Sequence, residues 1–238
     1  MATNLPRETA SRGGLEWAPA DQANAFLSAV YGWMGVGLVI TAATAWWVAS
    51  SPAVMGAILS NRALLWGLMI AQLVIVFVLS ANVQQLTAAA ASVLFVVYAA
   101  LTGATLSIVL LAFTGESVAT TFLVTAGMFG GLATYGTITK RSMSGFGQFL
   151  FMGLVGLVLA SIVGIFWHND GFQFILSLIG ILIFSGLAVY DAQRLKLMAL
   201  ATPSGQSAYA IAGALALYLD FTNLFLFLLR FTGNRRDS

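Results

Sequence analysis

Two aspartates stand inside stretches of sequence that are otherwise almost wholly apolar. Asp191 ends the run Ile181-Leu-Ile-Phe-Ser-Gly-Leu-Ala-Val-Tyr-Asp191 and is followed by Ala-Gln-Arg194. Asp220 lies in Gly213-Ala-Leu-Ala-Leu-Tyr-Leu-Asp220-Phe-Thr-Asn223, near the middle of a stretch that ends at Arg230. An ionised aspartate at the centre of a bilayer costs about 2.5–3.5 kcal/mol on insertion scales, so an acidic residue there is a functional hypothesis by default. If the two stretches are adjacent helices, the carboxyls meet. Like charges a few ångströms apart cannot both ionise cheaply, so the pair would hold one proton in common and titrate as a unit. That chemistry is a latch: bonded when singly protonated, pushed apart when both groups ionise.

A blander reading stands beside it. Asp191 could pair with Arg194 one turn along its own helix, and Asp220 with Asn223 or a backbone carbonyl. It serves Asp220 poorly, because no cation lies within reach on its own stretch. The face of Asp220 carries Gly213, Ala216, Asn223 and Phe227, a small and polar stripe suited to protein neighbours and not to lipid. Calcium takes six to eight oxygen ligands. Two carboxylates with Asn223 and a few carbonyls are therefore thin for tight binding, and Asp191 with Asp220 is expected to hold calcium only weakly and in transit.

The elements that must position this pair follow from composition. Hydrophobic residues make up 60% of the 238 residues and charged residues 8%, against about 25% charged in ordinary soluble domains. Such a chain cannot cover a soluble surface. It reads as an all-α integral membrane protein. The net charge of +2 reflects basic residues between apolar stretches, so no nucleic-acid partner is implied. There is no cysteine, and the one histidine is His168. Thiolate chemistry is excluded, most histidine chemistry goes with it, and no cofactor is expected.

Seven stretches are long enough to cross a hydrocarbon core as helices. They run over 25–49, 63–81, 87–113, 117–139, 146–167, 172–198 and 209–231, forming one bundle without repeats. A polar N-terminal tail (1–24) precedes them and a short basic tail (232–238) follows. Short-loop charge (Lys140, Arg141, Arg194 and Lys196 on one side) places the N-terminus in the cytoplasm. Arg230, Arg235 and Arg236 pull the other way and leave open six crossings with a re-entrant last helix. Gly127/Gly131 and Gly156/Ala160/Gly164 have the spacing of close-packed helices inside the bundle. Trp46, Trp47, Trp66 and Trp167 read as interfacial belt residues. Phe225, Phe227 and Phe231 read as packing, and His168 with Asp170 as a solvated turn.

With these residues in view, the chain resembles the transmembrane Bax inhibitor motif family (Bax inhibitor-1-like), in its bacterial branch. The resemblance is carried by Gly130-Gly-Leu-Ala-Thr-Tyr135 with Thr137 to Lys140, by Tyr190-Asp191-Ala-Gln193, and by Ala216-Leu-Tyr-Leu-Asp220-Phe-Thr-Asn-Leu-Phe225 with Leu228-Leu-Arg230. It covers nearly everything after residue 25. It implies a seven-helix bundle with a central last helix, and a pH-sensitive calcium leak governed by Asp191 and Asp220. Tyr190, Arg194, Tyr218 and Asn223 would support the pair. It further implies residence in the bacterial inner membrane, and a link to a membrane-bound AAA protease complex. The chain departs from the family pattern in its second stretch, where only Gln72 offers a polar interior group.

Two other functions compete. An interaction protein without transport would dock through its polar tail, and deleting residues 1–24 would abolish that role while sparing a leak. An intramembrane aspartyl protease also carries Tyr-Asp and Asp on consecutive helices, but needs Gly-x-Gly-Asp on the second. Here Tyr218 and Leu219 precede Asp220, so bulk stands where substrate needs room. A rhomboid-type serine protease would need a histidine base in the membrane, and Ser185 has none. The reading is therefore non-enzymatic.

Overall fold

The computed structural model describes residues 12–167, 169–201 and 207–236, which form eight helices. They are α1 (Arg12–Ser50), α2 (Pro52–Ser60), α3 (Arg62–Ala81), α4 (Ala88–Ala112), α5 (Gly115–Ile138), α6 (Ser144–Phe166), α7 (Asp170–Ala201) and α8 (Ser207–Thr232). All except α2 are long and apolar enough to cross a membrane, in agreement with the seven stretches expected from the sequence. His168 lies outside the described residues, as does 1–11 of the N-terminal tail. The helix of the first span already begins at Arg12, well ahead of the apolar onset at Ala25.

Local sequence sets the boundaries. Ser51-Pro52 ends α1, and Pro52 opens α2, where its missing N–H costs nothing. At about 1.5 Å per residue, the nine residues of α2 are too short to span. It lies along one face with Met55 and Ile58 packed on Val48. Asn61 caps α3 by accepting from the Ala63 and Leu64 amides at 3.1 and 3.2 Å. Thr87 and Thr114 cap α4 and α5 in the same way, each accepting from the amide three residues on. These side chains satisfy amides that the first helical turn would otherwise leave bare.

The packing is concentric. In its most apolar window α8 is 72% buried, against 39% for α7 and 6% for α3, so α8 is the axis and α3 is peripheral. Around α8 stand α1, α4, α5 and α7, with α6 resting on α7 and α3 on α4. The core follows: Ala214, Leu217, Tyr218, Leu224 and Leu229 of α8 are fully buried against Phe95 of α4 and Val30 of α1. Beyond Thr232 the chain folds back across the α4–α5 turn. The Thr114 amide donates to the Asn234 carbonyl and the Arg236 amide to the Ala112 carbonyl, both at 3.1 Å. The chain as far as Arg236 is therefore pinned at the face where α1 and α4 end, opposite the start of α1. That is the arrangement of seven complete crossings.

Two expectations about surfaces come out differently. Trp46, Trp47, Trp66 and Trp167 all face outward, and all lie near the helix ends at the C-terminal face, as a belt requires. The small-residue rows behave as expected only in part: Ala160 packs against the core, but most of the glycines do not. A side chain at Gly127, Gly131 or Gly156 would meet nothing within 4 Å, so these glycines face the lipid. The buried stripe of α5 is Thr121, Thr125, Phe129, Ala133 and Gly136. Gly127 and Gly131 are two residues beyond Thr125 and Phe129, about 200° around the helix. Gly164 does pack, against Gln173 and Phe172.

Candidate functional site: an acidic pair between α7 and α8

The seam between α7 and α8 is antiparallel, and glycines set its register. A side chain at Gly180 would run into the ring of Phe227, and one at Gly213 into Leu195. Phe184 stacks on Phe227 with ring centres 5.8 Å apart. Between the Phe184–Phe227 layer and the Leu195–Gly213 layer the seam brings Asp191 and Asp220 together, with their carboxyls within hydrogen-bonding reach. Asp220 is 4% exposed, while Asp191 is half-buried. Oδ2 of Asp220 is sealed away and meets no N–H or O–H donor. Two ionised carboxylates offer only acceptors, so a hydrogen bond between them needs a proton on one.

The supporting residues named from the sequence are spread around the pair, not gathered on it. Arg194 is exposed and acts on Asp191 through charge. The ring of Tyr190 covers Gly147 of α6, where a side chain would collide with it. Asn223 donates to the Leu219 carbonyl of its own helix at 2.8 Å and makes no bond to Asp220 Oδ2. Tyr218 faces the other way. Its hydroxyl lies 2.6 Å from Thr41 Oγ1 of α1, which also donates to the Ala99 carbonyl of α4 at 2.9 Å. Edge-to-face contacts with Phe95 and Tyr98 hold the Tyr218 ring. Gln72 does point inward, and accepts from Thr102 at 3.4 Å.

Thr41 was not singled out from the sequence, and Gln193 and Lys196 were named there without the positioning roles they hold here. Thr41 ties α8 to α1, and the stripe Val30, Met34, Thr41, Ala45, Val48 of buried residues on α1 was the signal that could have found it. Gln193, two residues beyond Asp191, accepts from the Met143 amide at 3.0 Å and donates to the Arg141 carbonyl at 2.8 Å. Lys196 donates to the Thr137 carbonyl at 2.6 Å, a cation on the last turn of α5 where the helix end is negative. Together they strap the end of α7 that carries Asp191 to the α5–α6 turn. Gly136 allows the approach, since any side chain there would strike the Val189 carbonyl.

As a possible metal centre the site is sparse. Among the described residues no cluster of three histidine, aspartate or glutamate side chains forms, and the pair offers carboxylate oxygens alone.

The arrangement defines a class: a seven-span helical membrane protein whose central C-terminal helix carries one half of a buried acidic pair. A family model described as Inhibitor of apoptosis-promoting Bax1 matches residues 23–237, and the chain belongs to this Bax inhibitor-1-like family. It is similar to Inner membrane protein YbhL of Escherichia coli (strain K12), with 50% identity over 215 residues covering 89% of this chain and 92% of that protein. An uncharacterized protein of Deinococcus radiodurans is 44% identical over 219 residues, covering 91% and 93%. One from Borreliella burgdorferi is 37% identical over 218 residues, covering 90% and 94%.

Proposed function

We propose that the chain is a passive, pH-sensitive cation leak, with calcium the expected permeant ion, gated by a proton held between Asp191 and Asp220. The observation that carries this reading is the contact of the two carboxyls at a place where Asp220 Oδ2 has no other donor. With one proton the pair bonds and holds α7 to α8. When both groups ionise, the repulsion is felt between two apolar layers with little water to screen it, and the seam loosens. Flux therefore rises as pH rises through the titration of the pair. The layers Phe184–Phe227 and Leu195–Gly213 close the seam on either side in the bonded state. Sparse ligation suits transit better than storage, because an ion that leaves must be held weakly.

The orientation that fits best puts the N-terminus in the cytoplasm of a bacterial cell, with the chain in the inner membrane. Lys140, Arg141, Arg194 and Lys196 then lie on the cytoplasmic face. A non-enzymatic role is favoured by bulk and by hydrogen bonding. Leu217, fully buried, and Leu219 stand at the two positions where an aspartyl protease needs glycine. The Ser185 hydroxyl is occupied by the Ile181 carbonyl at 2.6 Å. A partner such as a membrane-bound protease complex would dock on residues 1–24, and removing them separates that role from the leak.

The test is calcium flux into liposomes carrying the purified chain, from mildly acidic to mildly alkaline pH, with Asp191→Asn and Asp220→Asn alongside. Flux that rises with pH, and loses that response in both variants, supports the reading. Flux equal to that of empty liposomes at every pH overturns it.

A further inference from the structure

A lateral cleft of about 680 Å³ opens on the side of the bundle away from the acidic pair. It exists because α5 packs on α7 and α8 and leaves a gap toward α1 and α4. Ala42 and Trp46 of α1 and Leu110 of α4 form one wall, Ala119 and Phe122 of α5 the other, with Phe221 of α8 as the floor. The slot is mostly apolar, with the hydroxyls of Thr41, Ser50 and Thr222 in its lining. It starts at the C-terminal face, where α1 and α4 end and α5 begins, and runs toward the level of Phe221 in mid-membrane.

Its one charged lining residue is Arg236, at the face where lipid headgroups lie. That placement is built: the Arg236 amide donates to the Ala112 carbonyl, and the Thr114 amide to the Asn234 carbonyl, so the returning tail is held across the end of the cleft. Glu116, in the first turn of α5, lines a separate polar hollow with Ser117, Thr121 and Thr232. Among the described residues, the lining of the cleft therefore carries a cation and no carboxylate. A guanidinium at headgroup level above an apolar slot has the shape and charge of one ligand: a phosphate followed by an acyl chain.

We infer that this cleft is a binding site for an anionic phospholipid, with its phosphate on Arg236 and one acyl chain between α1–α4 and α5. The occupant arrives sideways from the bilayer and wedges the two halves of the ring that surrounds α8. The site is separate from the acidic pair, and a chain that conducts no calcium would still hold its lipid.

Native mass spectrometry of the full chain, released from nanodiscs of equal phosphatidylglycerol and phosphatidylcholine, tests this. The expected result is one retained lipid, with phosphatidylglycerol preferred. Arg236→Gln should lower that preference about fivefold, the effect of one basic residue at a lipid surface. Ala119→Phe should fill the slot and remove the retained lipid, with Ala42→Phe doing the same from the opposite wall if the first variant does not fold. Equal retention of both lipids, or a preference unchanged in Arg236→Gln, overturns the inference. So does a dimer that dissociates in Ala119→Phe, which would make a second copy the occupant.

Discussion

Tyr218 and Asp220 are two positions apart on α8 and so point to nearly opposite sides of it, about 200° apart. One reaches Thr41 and the other Asp191. Their roles should separate accordingly. Tyr218→Phe removes a buried hydroxyl whose partner keeps its bond to the Ala99 carbonyl. It should cost about 1 kcal/mol, seen as a small fall in thermal midpoint in detergent, and leave the pH dependence of flux untouched. A shifted pH profile in Tyr218→Phe would place the phenol in the proton pathway instead. The aspartates were legible in the sequence because an ionisable group in an apolar run has no cheap explanation. Thr41 was not, because hydroxyls within spans commonly bond their own helix, as Ser92 and Ser161 do here.

At the scale of elements, the α7–α8 seam depends on where glycine permits contact. Gly180→Leu would drive a side chain into Phe227, which is held by Phe184 and lies beneath Arg230. Overpacking of this kind costs about 1–3 kcal/mol, and the thermal midpoint should fall by several degrees. Gly127→Leu faces open space and should shift stability by no more than about 0.5 kcal/mol. If the two variants unfold alike, the assignment of these glycines to seam and lipid is mistaken. Spacing marked Gly127 and Gly131 as packing residues, yet the same spacing recurs on every face of a helix. The face is chosen by neighbours such as Phe221, which packs on Phe129 at 5.5 Å. The short helix α2 was hidden for a related reason. Nine residues after Ser51-Pro52 read as a break when only membrane-length stretches are sought.

Across the whole molecule, length and hydropathy were enough to count the spans, and the central position of the last one came with the family resemblance. What they could not supply was closure. The acidic pair lies between two apolar layers, Phe184 with Phe227 on one side and Leu195 with Gly213 and Val30 on the other. Phe227→Ala should thin the first layer and raise calcium flux at acidic pH, where the wild-type chain is held shut. Flux unchanged in that variant would mean that ions take another route. Deleting residues 1–24 should leave flux intact, since the pair and both layers lie well beyond them.

The central claim is that Asp191 and Asp220 hold one proton between them. Infrared difference spectroscopy of the reconstituted chain during an alkaline titration reads this directly, through the carbonyl stretch of a protonated carboxylic acid. The account predicts one such band, lost as pH rises, with its frequency and midpoint moved by either Asp191→Asn or Asp220→Asn. A band that responds to one substitution only, or no band because both groups are ionised throughout, would contradict it.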